Sequence, residues 1–271
     1  SKSLDDKKQT DMIILDFSKA FDTVPRRRLL QKLEHCGILN YTPEIESADE
    51  TTPEPKGQQC ILDWFQNWLC DRTQQVVLDG RKSDSCSVLS GVPLGTVLGP
   101  LCFLIFINDL GQNLSQDSQL RLFADDSLLF REITSQDCAH HLQKDLDSLA
   151  EWSEKWHMKF HPSKCHVMSV STSKKPAHHD YTLMNESLQH VHSARYLGVN
   201  INHSLKWDDH IDAIVAKANR TLGFLRRNLS QCPQNIKAQA YTALVRPLLE
   251  YACTVWDPYL QKCITKIKNL Q

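Results

Sequence analysis

Three acids in this chain of 271 residues stand where carboxylates are seldom filler. Asp16 closes the short apolar run DMIILDF at residues 11–17, and Asp125 and Asp126 stand side by side between LRLFA and SLLF. Each run is short, apolar and β-prone, so each reads as a strand with an acid at its end. If the two strands are neighbours in one sheet, the three carboxylates converge. At about 4 Å and an effective dielectric of about 20, each like-charged pair costs roughly 4 kcal/mol. Such a cluster must take up protons or bind cations. Hard oxygen donors with open positions suit Mg²⁺, and two such ions can activate an attacking hydroxyl and stabilise a leaving pyrophosphate. The spacing alone is equally served by a plain reading, in which Asp125-Asp126 is a hairpin turn and Asp16 caps the following helix.

The elements that must position these acids are legible from periodicity. Residues 25–37 read as a helix, with Pro25 in its first turn, Leu29, Leu30 and Leu33 as its apolar stripe and Gly37 as its stop. Residues 60–69 form an aromatic amphipathic helix, and 99–110 and 139–156 two more. Strands are expected at 74–78 and 85–89 around the turn Asp79-Gly80, at 119–124 and 127–131 joined by Asp125-Asp126, and at 164–170 and 196–201. Residues 41–59 hold three prolines and five acids against a single lysine, and read as a disordered acidic insert. From about residue 203 the pattern is helical, with Ile211, Ile214, Val215, Ala218, Leu222 and Leu225 at helical spacing.

Composition is that of an ordinary globular protein, 41% hydrophobic and 23% charged, which excludes fibrous and wholly disordered classes. The net charge of -1 hides an asymmetry: residues 203–271 carry ten Lys and Arg against five acids. Within this basic part Lys217, Arg220 and Arg227 fall within about 80° of one helix face at about 100° per residue. That face reads either as a solvated one or as a surface for a nucleic-acid backbone. The longest apolar run, residues 97–107, is broken by Gly99 and Pro100 and is too short to span a membrane. Ten cysteines occur without a CxxC, so neither a zinc knuckle nor a redox pair is written. His161, Cys165 and His166 fit no standard zinc spacing and read as packing residues. The chain begins SKSLDDKKQT, with no initiator Met and no apolar leader, and reads as starting within a longer protein.

The ordered blocks LDFSKAFDTVPRRRLLQKLEHCGI, SGVPLGTVLGPLCFLIFINDL, LFADDSLLF, KWHMKFHPSKCHVM and RYLGVNIN resemble the reverse transcriptase of jockey-like non-LTR retrotransposons. The stretch from HSLKWDDHI to EYACTVWDP is similar to the thumb-side continuation of that family. The resemblance implies an α+β fold, with a polymerase palm over residues 1–202 built on a mainly antiparallel sheet, then a helical thumb-like region over 203–271. It implies RNA-directed DNA polymerisation using two Mg²⁺ ions, an RNA template, a DNA primer and dNTP substrates, inside the cell, in nucleus or cytoplasm, with no membrane partner.

Carried over residue by residue, the resemblance makes Asp16 and Asp125 metal ligands, with Asp126 as weaker neighbour and the backbone carbonyl of Phe17 assisting. Phe21 falls at the steric gate against a ribose 2′-hydroxyl. Gly91, Pro93, Leu94 and Gly95 belong to the loop against the incoming nucleotide, where the family usually has Gln in place of Leu94, and Leu cannot make that hydrogen bond. Lys164 matches a proposed general acid for the leaving pyrophosphate. Tyr196, Leu197 and Gly198 resemble the primer-grip hairpin. Only fifteen residues precede Asp16, so the basic fingers region is expected to be largely missing from this stretch. An inactive nucleic-acid-binding remnant is the alternative reading.

Overall fold

The computed structural model describes residues 5–38, 61–173 and 176–270. The acidic insert at 41–59 lies outside the described residues. In chain order the elements are β1 (Gln9–Leu15), α1 (Ala20–Thr23), α2 (Arg26–His35), α3 (Ile61–Leu69), and four short strands β2 (Thr73–Gln74), β3 (Val77–Leu78), β4 (Arg81–Lys82) and β5 (Cys86–Ser87). There follow α4 (Leu98–Ile107), β6 (Gln119–Phe123), β7 (Asp126–Ile133), α5 (Gln136–Trp156), a 3₁₀ turn at Pro162–Lys164, and β8 (His166–Val170). The chain continues through β9 (Thr182–Leu183), β10 (Glu186–Ser187), β11 (Gln189–His190), β12 (Ser193–Tyr196) and β13 (Val199–Asn202). Helices α6 (Asp208–Asn228), α7 (Gln234–Leu244), α8 (Arg246–Glu250), α9 (Cys253–Trp256) and α10 (Gln261–Lys268) close it. The protein is thus a mixed α+β chain. Among the described residues no helix is long and apolar enough to cross a membrane.

Two compact units form, and β1 contributes to both. The first, residues 13–165 and 179–189, carries Asp16, Asp125 and Asp126. Here β7 lies between β1 and β6, and β6 pairs antiparallel with β7 from Gln119↔Phe130 to Phe123↔Asp126. Helix α5 buries Ala139, Leu142, Leu146, Leu149 and Trp152 at i, i+3 and i+4 steps. Gln143 on α5 both donates to the Thr182 carbonyl and accepts from the Thr182 amide, each at 2.9 Å, so one side chain completes the β9 edge.

Two buried cations lie in this unit. Lys32, 6% exposed, donates to the Phe106 carbonyl and to Asp109, beneath the Trp156 ring at 3.8 Å. Burial pulls its pKa down and Asp109 pulls it back up. Arg131, on β7, gives Nη1 to Ser115 and Ser118 at 2.7 and 3.1 Å and Nη2 to Asp117 at 3.1 Å. Buried Asp145 stands 4.0 Å from Arg131 and accepts from the Ser115 amide and hydroxyl at 2.8 and 2.6 Å. This network ties the β7 hairpin to α5.

The second unit, residues 1–12, 166–178 and 190–271, holds β8, beside β1 and β11, and the helices α6 to α10. On α6, Ala218 and Leu225 pack with Val245, Leu249 and Leu270, and Ile211 packs with Val199, Trp256 and Cys263. Asp208 and Asp212 on α6 are paired with Lys262 and Lys266 on α10.

Several elements differ from the sequence reading. The strands expected at 74–78 and 85–89 are two nested two-residue ladders, Thr73–Gln74 with Cys86–Ser87 and Val77–Leu78 with Arg81–Lys82. All of their residues are exposed, so no buried face extends the pairing. Residues 196–201 are not one strand but the turn and arms of the β12–β13 hairpin, in register Tyr196↔Val199. Lys164 is on the 3₁₀ turn, and β8 starts only at His166.

Removing one partner of a buried ionic network strands the other. Asp145→Ala should cost about 3–5 kcal/mol, read as a lower urea midpoint at unchanged slope. A loss below about 1 kcal/mol would mean that the serines and Asp117 satisfy Arg131 without it.

Candidate active site

Asp16 lies one residue beyond β1, and its backbone is held on both sides. Its amide donates to the Cys165 thiol at 3.4 Å, and its carbonyl accepts from the His161 amide at 2.8 Å. Ser18 donates to the Lys159 carbonyl at 2.8 Å, and Phe17 bridges to Phe160, whose ring stacks on it at 4.2 Å. Residues 16–18 are therefore laced to 159–165, and the Asp16 side chain leaves from a fixed backbone. Burial pushes the Cys165 thiol up to about 11, so it holds Asp16 as a neutral group. The sequence reading treated Cys165 as packing only; no spacing signal marks a thiol that bonds a strand end 149 residues away.

Asp125 is in the two-residue connection between β6 and β7, after Ala124, which takes a positive φ of 53°. The expected turn was Asp125-Asp126. The observed one is Ala124-Asp125, and Asp126 opens β7 opposite Phe123. A polar pair reads as a turn whichever of its members belongs to the ladder, so the one-residue difference is invisible to pattern. The Asp126 carboxyl is held above its ordinary range by burial first, then by the charges of Asp125 and Asp16. The end of β1 and the β6–β7 turn thus meet electrostatically. As a set the three carboxylates do not draw their oxygens within 4.8 Å of one another, and a shared cation would have to gather them.

Lys164 Nζ is 3.8 Å from Asp16 Oδ2, with both side chains substantially exposed. The loop of residues 90–95 is stitched to residues 21–24. Ser90 Oγ donates to the Asp22 carbonyl at 2.7 Å, the Gly91 amide to Val24 at 2.8 Å and the Val92 amide to Phe21 at 2.9 Å. Gly91 has φ 85°, and a Cβ there would meet the Phe21 carbonyl at 2.7 Å and Asp22 Cα at 2.8 Å. Its missing side chain admits the backbone of Phe21 and Asp22. Leu94 is 65% exposed, and the Phe21 ring stacks on Phe103 at 4.4 Å. One unit therefore brings together Asp16, Phe17, Phe21, Gly91, Pro93, Leu94, Gly95, Asp125, Asp126 and Lys164.

The remaining expected residues are in the second unit. Leu197 and Gly198, both at positive φ, form the β12–β13 turn. The Leu197 carbonyl accepts from Tyr251 Oη at 3.0 Å, and a Cβ on Gly198 would touch the Tyr251 ring at 3.1 Å. Lys217, Arg220 and Arg227 are exposed on the unbroken helix α6.

An α+β sheet with acids at two strand ends, beside a glycine loop, is the setting in which the chain's relationships become specific. Residues 2–201 match the family of the reverse transcriptase (RNA-dependent DNA polymerase), and the chain belongs to that family. It is similar to the RNA-directed DNA polymerase from mobile element jockey of Drosophila melanogaster at 24% identity and of Drosophila funebris at 28%, over 100% of this chain and 28% of each relative. The probable RNA-directed DNA polymerase from transposon BS of Drosophila melanogaster is 25% identical over 100% of this chain and 29% of its own length. The chain thus spans under a third of the length of these relatives. Among solved structures it is similar to apo telomerase from Candida tropicalis, with 12% identity, TM-score 0.49, and coverage of 99% of this chain and 46% of that one. Telomerase from Candida albicans, with a fragment of telomeric RNA, gives 12% identity and TM-score 0.49 over 96% of this chain and 46% of that one.

The carboxylate cluster has a pH signature. Folding raises the Asp126 pKa, so its charge opposes folding above the folded value. That penalty disappears as pH falls through the folded value toward the unfolded one. Asp126→Asn should raise the melting temperature of the chain in EDTA at about pH 7.5, and the gain should shrink as pH falls toward about 4, near the unfolded carboxyl's ordinary value, because the parent carboxyl takes up its proton on the way. An equal gain at both pH values would remove the charge argument.

Proposed function

We propose that this chain is the palm, over residues 1–202, and a thumb-like helical region, over 203–271, of a non-LTR retrotransposon's RNA-directed DNA polymerase. The observation that carries the reading is the position of Asp16, one residue past β1, and of Asp125 and Asp126, at the start of the neighbouring strand β7, in a chain of this family. The reaction is attack of a primer 3′-hydroxyl on the α-phosphate of a dNTP, with pyrophosphate leaving. Asp16, Asp125 and the Phe17 carbonyl would hold two Mg²⁺ ions, with Asp126 beside them, and the hard oxygen donors fit that ion. When bound, the ions supply hydroxyl activation and charge neutralisation at the phosphates.

The chain's own groups do the rest. Lys164 Nζ holds a proton for the leaving pyrophosphate oxygen. The Phe21 ring, braced on Phe103, excludes a 2′-hydroxyl by bulk. The loop carrying Gly91, Pro93, Leu94 and Gly95 borders the nucleotide. Tyr196, Leu197 and Gly198 position the primer, and Lys217, Arg220 and Arg227 bind duplex phosphates. RNA template, DNA primer and dNTP are the partners, in nucleus or cytoplasm.

Two measurements test this. Mn²⁺ binding to the chain, read by water-proton relaxation, should weaken at least about tenfold in Asp16→Asn and in Asp125→Asn. Fused behind the upstream segment of a jockey relative, the chain should extend a DNA primer on RNA. Leu94→Gln should raise extension by about 5- to 150-fold, the worth of one hydrogen bond of roughly 1–3 kcal/mol. Asp125→Asn should abolish it. Extension that survives Asp125→Asn overturns the metal site.

A further inference from the structure

A groove away from the carboxylates, in the same unit, has no role in the reading above. It is about 810 Å³, and its walls include Arg26 and Arg27 from α2, Arg72, Thr73, Ser87 and Ser90. A hollow of about 210 Å³ shares Arg26, Arg72, Thr73 and Ser90 and runs on to Gly91, Pro93 and Leu94. The acids on these walls are Asp71 and Asp22. Among the described residues neither Arg26 nor Arg72 makes an ion pair with either of them, or with any other carboxylate.

Among the described residues their bonds are to main chain only. Arg26 reaches the Gly91 and Ser90 carbonyls at 3.4 Å each, and Arg72 the Trp68 carbonyl at 3.3 Å. A guanidinium has five N–H donors, so most of both forks is unused. The two cations also feel one another: burial, and then the charge of Arg72, lower the Arg26 pKa. Two unneutralised guanidiniums facing one hollow lined with hydroxyls call for an anion with several oxygens. The groove and the hollow also carry apolar side chains open to solvent, Leu89 at 87% and Leu94 at 65% exposure. Guanidiniums and exposed apolar side chains along one groove match a single nucleic-acid strand, which presents phosphates and unpaired bases.

We propose that Arg26 and Arg72 bind the phosphodiester backbone of a single RNA strand and lead it to the Gly91–Leu94 loop. Its identification with the template rests on the polymerase reading; the phosphate binding does not.

The test is fluorescence anisotropy of the full chain with a labelled RNA of about 12 nucleotides across a salt series. Arg26→Ala/Arg72→Ala should weaken binding at least about tenfold and lower the salt slope by about 1.4, at roughly 0.7 per phosphate contact on a single strand. Arg72→Glu, on an exposed residue outside the loop's bonding, tests the same groove without disturbing residues 90–92. Unchanged affinity and slope in both variants, or no RNA binding by the parent chain, overturns the proposal. Displacement of the RNA by millimolar dNTP would overturn it in favour of a triphosphate. Mn²⁺ affinity should be unaltered in all variants. Lost RNA dependence on Arg26 and Arg72 with intact Mn²⁺ binding refutes the groove alone, whereas Mn²⁺ affinity indifferent to Asp125→Asn refutes the polymerase reading alone.

Discussion

Mutual repulsion of like charges at one edge of a sheet is the constraint on which the carboxylate-bearing unit depends. The Asp126 carboxyl is held toward the neutral form by its burial first and then by the charges of Asp125 and Asp16. The chain must keep these groups together against that repulsion, so the freedom of each backbone has been removed by other means. Asp16 is laced to residues 159–165 by its own amide and carbonyl, and Phe17 is stacked on Phe160. The β6–β7 turn is anchored from below, because Arg131 on β7 is locked to Ser115, Ser118 and Asp117 over the buried Asp145 of α5. Neither anchor touches the carboxylates, yet both determine where those side chains start.

How much of this was readable follows the range of the interaction. The long helices were legible because one buried stripe repeats every turn: α5 and α6 carry theirs over 21 residues each. Asp16 at the end of β1 was legible because an acid after the four apolar residues Met12 to Leu15 breaks a local pattern. What escaped was set by single residues or by distant partners. Periodicity ran one strand through 196–201 where the resemblance implied a hairpin, because Leu197 turns the chain at a φ of 46° that its side chain does not advertise. Ala124, at φ 53°, hides the β6–β7 turn in the same way. That Gly91 must lack a side chain because the Phe21–Asp22 backbone packs on it is set by residues distant in the chain and is visible only in the fold. Cys165 was counted among the packing thiols because its partner, the Asp16 amide, is remote in sequence.

The same unit treats its buried and its exposed cations in opposite ways. Lys32 and Arg131 are enclosed, and each has a carboxylate within reach, Asp109 and Asp117 respectively. An unpaired charge in those positions would be untenable. Arg26 and Arg72 line a groove and, among the described residues, make only long bonds to carbonyls. Arg72 is exposed and Arg26 half-buried, so water still reaches both, and the desolvation that lowers the Arg26 pKa favours an anion that would supply its charge partner. The distinction separates cations that hold the sheet from cations that can bind something.

Lys164 falls between these two cases. Its Nζ stands 3.8 Å from Asp16 Oδ2, with the two side chains 58% and 41% exposed. A pair so open to water is worth at most about 1 kcal/mol. The contact is therefore strong enough to bias the lysine toward the carboxylate cluster and too weak to trap it there. A divalent cation held by Asp16 would compete with Lys164 for the same oxygens at small cost. The displaced ammonium would then be left beside the site with its proton and its charge, which is the state in which it can meet a phosphate oxygen. In the proposed reaction the weak pair is thus more useful than a strong one, because a tight Lys164–Asp16 bridge would oppose both the cation and the proton transfer.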